Sequence, residues 1–183
     1  MIFSLAFLFI IYKNKTMSRT SSRNKIKRDN SKSKNIDAAL MMYLYEKQHP
    51  LISTHCTIDG LMECDVISLS KSDYIYEYEV KISKADYKKD FIKPKHKNIL
   101  NEKFVKNTKK RMIYLLPNYF NYVVPAGLIT VEDLPEYAGL IYFNEDLSFD
   151  VIKKPVLLHK TKANDDFIRK LAHNITCKLI FKK

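Results

Sequence analysis

The sequence predicts an α/β protein in which helices cover a mixed sheet, and three observations carry that reading. Residues 74–82 alternate strictly: Tyr74, Tyr76, Tyr78 and Val80 face one way, Ile75, Glu77, Glu79 and Lys81 the other. That is the period of a strand. Residues 164–179 place Phe167, Ile168, Leu171, Ile175 and Leu179 at helical spacing. Between them, segments of both kinds interleave, which favours helices layered on a sheet over a bundle or a sandwich. The 183 residues, 46% hydrophobic with 3 Gly and 6 Pro, suffice for one core and exclude collagen-like or wholly disordered classes.

Residues 1–12 (MIFSLAFLFIIY) are almost all apolar. They fall short of the ~20 residues a membrane-spanning helix needs, and they lack a signal peptide's basic start and small-residue cleavage site. An upstream extension of the reading frame before Met17, an anchor and a core strand all stay open for residues 1–16. Residues 17–35 hold Ser, Asn, Lys and Arg with a single Ile and read as a flexible basic arm. Residues 36–183 are expected to form one domain.

Asn35 or Asp37 can cap a helix reaching about Gln48, and His49-Pro50 ends it. A turn at Asp59-Gly60 precedes a strand over about 62–69, and Lys71-Ser72-Asp73 turns the chain into the 74–82 strand. Ser83-Lys84-Ala85-Asp86 is a capping-box variant opening a helix to about Ile92, which Pro94 closes. Residues 93–111 form a basic loop or short surface helix. Strands are expected at 112–115 and 120–124, a helical turn at 131–135, a hairpin over 138–143 and 148–153, and the terminal helix at 164–179.

The net charge of +12 is unevenly laid out. Residues 1–35 hold 9 basic and 1 acidic side chains, 36–80 hold 2 and 8, 81–111 hold 12 and 3, and 112–183 hold 9 and 8. An acidic block thus lies between two basic ones. The basic excess points to a polyanionic partner, nucleic acid first and an anionic membrane second. Three cysteines without a CxxC spacing make neither a disulfide framework nor a zinc site, and they fit a reducing compartment. The five histidines show no ligand spacing, so zinc is not expected. No phosphate-binding glycine motif appears, so neither is a nucleotide cofactor.

Inside the acidic block, Asp65 lies on one expected strand and Glu79-Val80-Lys81 on the next. Paired around the 71–73 turn, the strands bring two carboxylates and an ammonium together, with Glu63 on the Asp65 face. Hard Mg²⁺ takes oxygen ligands, so such a set can hold it with a backbone carbonyl. The cation would polarise a phosphate, and the lysine would orient or deprotonate water or stabilise developing charge. An ordinary surface hairpin with an ion pair is the plainer reading of the same spacing.

Asp65, thirteen intervening residues and Glu79-Val80-Lys81 resemble the signature of the PD-(D/E)xK, or restriction-endonuclease-like, nuclease superfamily. The run YEYEVKISKADYKKD, followed by PNYFNYVVPAGLI and LPEYAGLIYF, resembles its DNA-repair-associated branch, also found in phages. The likeness covers roughly residues 36–160. It implies a restriction-endonuclease-like core and a Mg²⁺-dependent deoxyribonuclease, more an endonuclease than an exonuclease, with Mn²⁺ able to substitute. Asp65 and Glu79 would be metal ligands, Val80 would lend its carbonyl, and Lys81 would be the catalytic lysine. Cys64 stands where the nominal proline would. Glu46 is the natural candidate for a further carboxylate from the preceding helix, with Asp37 as substitute, and Glu77 could hold a second metal or an outer water.

Lys84 and Lys88, one helical turn apart, are expected to contact DNA backbone. Lys93, Lys95, His96, Lys97, Lys109, Lys110 and Arg111 are expected to contact phosphate from the following loop, positioning substrate without reading sequence. The tyrosine face is expected to pack under a helix. DNA is the expected partner, in the cytoplasm or nucleoid and not at a membrane, with a homodimer left open. The competing reading is a nucleic-acid-binding protein on the same fold that does not cleave. A weaker third is a membrane-surface protein anchored by residues 1–12.

Overall fold

The computed structural model describes residues 30–57, 63–93, 96 and 117–181. Helix α1 (Asn30–Glu46) leads into β1 (Leu51–Cys56), β2 (Cys64–Leu69) and β3 (Ile75–Val80). Helix α2 (Lys84–Asp90), β4 (Tyr119–Pro125), a 3-10 turn (Val131–Asp133), β5 (Ala138–Phe143), β6 (Phe149–Lys153) and α3 (Asp165–Ile180) follow. The strands form one six-stranded sheet in the order β1-β2-β3-β4-β5-β6. Pairing is antiparallel from β1 to β3, parallel for β3–β4 and β4–β5, and antiparallel again for β5–β6. The fold is therefore α/β, a mixed sheet flanked by helices.

The alternation of β3 divides its two faces as the sequence predicts. Tyr78 and Val80, with Val66, Val123 and Ile141, pack against Ile36, Leu40 and Leu44 of α1, and Tyr76 lies against the same cluster. On the opposite face, Phe120, Tyr122 and Val124 of β4 pack with Tyr87 of α2, Ile129, Tyr137 and Leu140. A third cluster seats Phe167 and Leu171 of α3 on Cys56, Cys64, Ile67, Leu69 and Ile75. Leu179, expected on the apolar stripe of α3, is 66% exposed because the helix runs past the edge of that cluster.

Local chemistry explains the boundaries. The β2–β3 turn closes with Asp73 at φ 63°, left-handed backbone that Asp tolerates. In it, Ser70 N–H donates to the Tyr74 carbonyl at 2.9 Å. Ser83 caps α2, its hydroxyl accepting Asp86 N–H at 3.2 Å, and Asn164 caps α3 by accepting Phe167 N–H at 2.9 Å. After β4, Gly127 at φ 76° permits the turn in which Leu128 N–H donates to the Pro125 carbonyl. Buried Asn118 ties the sheet to the segment before α3. Its Oδ1 accepts Ile75 N–H at 2.7 Å, and its Nδ2 donates to the carbonyls of His159 and Thr161, each at 2.8 Å.

Three expectations need correction. Helix α1 begins at Asn30, so Asn35 and Asp37 lie inside it and do not cap it. Strand β1 was not anticipated, because LISTHC lacks the alternation of an amphipathic strand: Ser53 is buried where an apolar residue would be expected. Its hydroxyl instead donates to Asn174 Oδ1 of α3 at 2.8 Å. Helix α2 stops at Asp90, before Ile92. The turn at Asp59-Gly60 and the strand at 112–115 lie outside the described residues. Among the described residues no helix is long and apolar enough to cross a membrane.

Candidate metal and phosphodiester site

Strands β2 and β3 pair from Leu69↔Ile75 to Val66↔Tyr78. One step further, opposite each other in that register, stand Asp65 and Glu79. There the strands part: β2 stays paired with β1 to Cys56↔Cys64, while β3 stays with β4 to Val80↔Val123. Asp65 bridges the fork, its Oδ2 accepting Val80 N–H at 2.8 Å where a ladder bond would have been. Glu79 is buried beside it, and Lys81 follows two residues on. The structure thus brings Asp65, Glu79 and Lys81 together at one fork.

Helix α1 adds a carboxylate. Asp37 sits on the helix face that carries Ile36, Leu40 and Leu44, only 3% exposed, with Oδ2 3.2 Å from His55 Nε2. Burial pushes Asp37 up to about 6; the His55 interaction opposes the rise and the charge of Asp65 adds to it. Asp65 is likewise pushed up to about 6, by burial first and the Glu79 charge second, against the Val80 N–H bond, Lys81 and His55. Carboxylates raised in this way carry negative charge that their surroundings do not fully neutralise.

On the other side of Glu79 lies a dense set of ion pairs. Lys81 Nζ is 2.7 Å from Glu79 Oε1 and 3.0 Å from Asp90 Oδ1. Lys93 Nζ is 2.9 Å from the same Glu79 oxygen and also contacts Asp90 Oδ1. Asp90 Oδ2 is 2.8 Å from His96 Nε2 and accepts the Tyr122 hydroxyl at 3.1 Å. His96 Nδ1 in turn lies 2.8 Å from the Tyr137 hydroxyl. Burial works to raise Asp90, but the His96 and Lys93 hydrogen bonds and the Lys81 charge hold it well below the usual carboxylate range.

Glu46, the first choice for a helix carboxylate, is exposed at the last residue of α1. Nine residues beyond Asp37 at ~1.5 Å each, it stands about 13 Å further along the helix, so the Asp37 alternative has the better position. The sequence signal was present, since Asp37 falls in the 36-40-44 stripe. Glu77 is buried one pleat further from the fork, in register with Phe120, and its charge is felt at Tyr137. Glu63 is exposed, 3.8 Å from His55.

Lys84 and Lys88, expected to contact DNA backbone, are exposed on α2. Lys93, expected on a phosphate-binding loop, instead ends between Glu79 and Asp90, and His96 is buried rather than a loop contact. Lys95, Lys97, Lys109, Lys110 and Arg111 lie outside the described residues. Asp90 belongs to the run that carries the family resemblance but was given no role from the sequence, although it shares a helix face with Tyr87 at i,i+3 spacing.

Asp37, Asp65 and Glu79 supply the hard oxygen donors that Mg²⁺ or Mn²⁺ takes. Asp37 Oδ1 has no hydrogen-bond partner among the described residues. The donor chemistry therefore fits a divalent cation. Among the described residues, however, no group of three or more His, Cys, Asp and Glu side chains stands in ready ligating geometry. Asp65 is turned to Val80 N–H, and Glu79 is held by two lysines.

No protein-family model matches the chain, and no curated protein does. Among solved structures it is similar to a protein of unknown function from Silicibacter pomeroyi, at 18% identity and a TM-score of 0.48, covering 72% of this chain and 80% of that one.

Proposed function

We propose that this protein is a metal-dependent nuclease that hydrolyses DNA phosphodiester bonds in repair, recombination or replication, as an endonuclease. The observation that carries this reading is the fork between β2 and β3, where Asp65, Glu79 and Lys81 meet beside the buried Asp37. The resemblance to the PD-(D/E)xK superfamily gives those residues their roles.

Asp65 and Glu79, with Asp37 and the Val80 carbonyl, would hold Mg²⁺ or Mn²⁺. When bound, the cation supplies Lewis-acid polarisation of the phosphate and lowers the pKa of a bound water. Lys81 orients the attacking water or donates to the oxygen on which charge develops. Lys84 and Lys88, exposed on α2 just beyond the fork, hold DNA backbone and confer salt-dependent affinity without base preference. The free thiols of Cys56, Cys64 and Cys177 suit a reducing compartment, so we place the activity in the cytoplasm or nucleoid.

The test is incubation of the full chain with labelled single-stranded, double-stranded and branched DNA, with and without Mg²⁺ or Mn²⁺, beside Lys81→Ala. Cation-dependent cutting by the wild type alone supports the proposal. Equal cutting by Lys81→Ala would remove the lysine from the chemistry. DNA binding with no cutting under any condition would favour the non-catalytic alternative.

A further inference from the structure

Asp90 is fully buried, yet nothing in the roles assigned so far uses it. A carboxylate stripped of water is costly unless donors surround it. Here Lys81 and Lys93 flank Oδ1, while His96 and Tyr122 hold Oδ2. A buried ion cluster of this kind is weak evidence of a stabilising role, because apolar side chains of similar volume often serve stability as well or better.

Connectivity points to a different purpose. Both ammonium groups are shared between Glu79 Oε1 and Asp90 Oδ1. A Glu79 oxygen engaged with a cation has less to offer two lysines. Asp90 is not offered that choice, since its second oxygen is fixed by His96 and Tyr122, and His96 is braced in turn by Tyr137. We propose that Asp90 is a positioning residue: it holds the Lys81 ammonium, with Lys93 as the second cation of a pair, in place for phosphodiester cleavage. This role rests on the nuclease reading given above, and it makes the working unit two lysines on a buried anionic anchor.

The test is a double-mutant cycle on the full chain, read as single-turnover cleavage of labelled DNA at saturating Mg²⁺. Asp90→Asn is expected to slow cleavage about 10- to 100-fold, as loss of a supporting partner behind a site residue does. DNA affinity should stay within about threefold, because Asp90 contacts no substrate. In the Lys81→Ala background Asp90→Asn should cost much less than in the wild type, since only Lys93 is left to position and residues that act as one unit are non-additive. Losses that multiply, or wild-type cleavage by Asp90→Asn, would overturn the proposal.

If melting shows that Asp90→Asn does not fold, Tyr122→Phe decides. It removes one hydrogen bond from Oδ2, so a loss of about 3- to 10-fold is expected, again smaller in the Lys81→Ala background. If the wild type cuts no DNA, the nuclease reading fails, and the anchor is then read from ¹⁵N spectra of the lysine ammonium groups. Protected Lys81 Nζ signals lost in Asp90→Asn but kept in Asp65→Asn support the anchor. Spectra unchanged by Asp90→Asn refute it.

Discussion

Asp37 and Asp65 are both raised by burial that their partners only partly offset, and the consequence for stability has a definite sign. Each is raised to about 6 in the folded protein, against about 3.9 for an unperturbed Asp. Between those values the native state binds more protons than the unfolded chain. Their contribution to stability is therefore greatest below the unfolded pKa and falls as pH rises through about 6. Asp90, held low, acts oppositely: its contribution is present above the unfolded value and lost in more acid solution. Urea unfolding without divalent cations should show wild type losing stability relative to Asp37→Asn between pH 4.5 and 7, by about 2 kcal/mol. A difference that does not change with pH would mean that Asp37 is not strained. Asp65, Glu79 and Lys81 were legible in the sequence because strand alternation fixes faces, and one short turn fixes which faces meet. Asp37 was named only as a substitute for Glu46, and Lys93 and His96 were placed on a phosphate-binding loop, because their places depend on how α1 and the segment after α2 dock on the sheet.

At the scale of elements, α2 links the backbone to the chemistry. Its seven residues are too few to hold a helix alone. The Ser83 cap starts it, and Tyr87 anchors it on Tyr122 with ring centroids 5.0 Å apart, its hydroxyl donating to the Asp133 carbonyl at 2.6 Å. Together these deliver Asp90 to the lysines. Ser83→Ala should destabilise the protein by about 1 kcal/mol. It should also slow DNA cleavage several-fold at a temperature where the fold is intact, read by thermal melting beside a cleavage time course. An unchanged rate would mean that Asp90 is placed without the cap. Helix α2, β3 and the β5–β6 hairpin were readable because capping, alternation and turn residues are local signals. Strand β1 was not, since its buried Ser53 is satisfied by Asn174, 121 residues away.

For the whole molecule, the charge layout gains a structural meaning. The acidic block at 36–80 contains Asp37, Glu77 and Glu79, all buried, and Asp65, which stands at the fork between β2 and β3. The basic block that follows divides its work: Lys81 and Lys93 turn inward to the acids, while Lys84 and Lys88 remain exposed for a polyanion. The fold class followed from periodicity. The sheet order and the parting of β2 from β3 did not, because pairing between distant strands leaves no local trace. The most direct test of the central claim is the rate of DNA cleavage by the full chain as Mg²⁺ is varied, for wild type and Asp65→Asn. The expected result is a saturable, cation-dependent rate for wild type and a loss of about 100-fold or more for Asp65→Asn, the scale set by removing a principal electrostatic group from a catalytic site. A rate independent of Mg²⁺, or equal in the two proteins, would contradict a metal-dependent site at the fork.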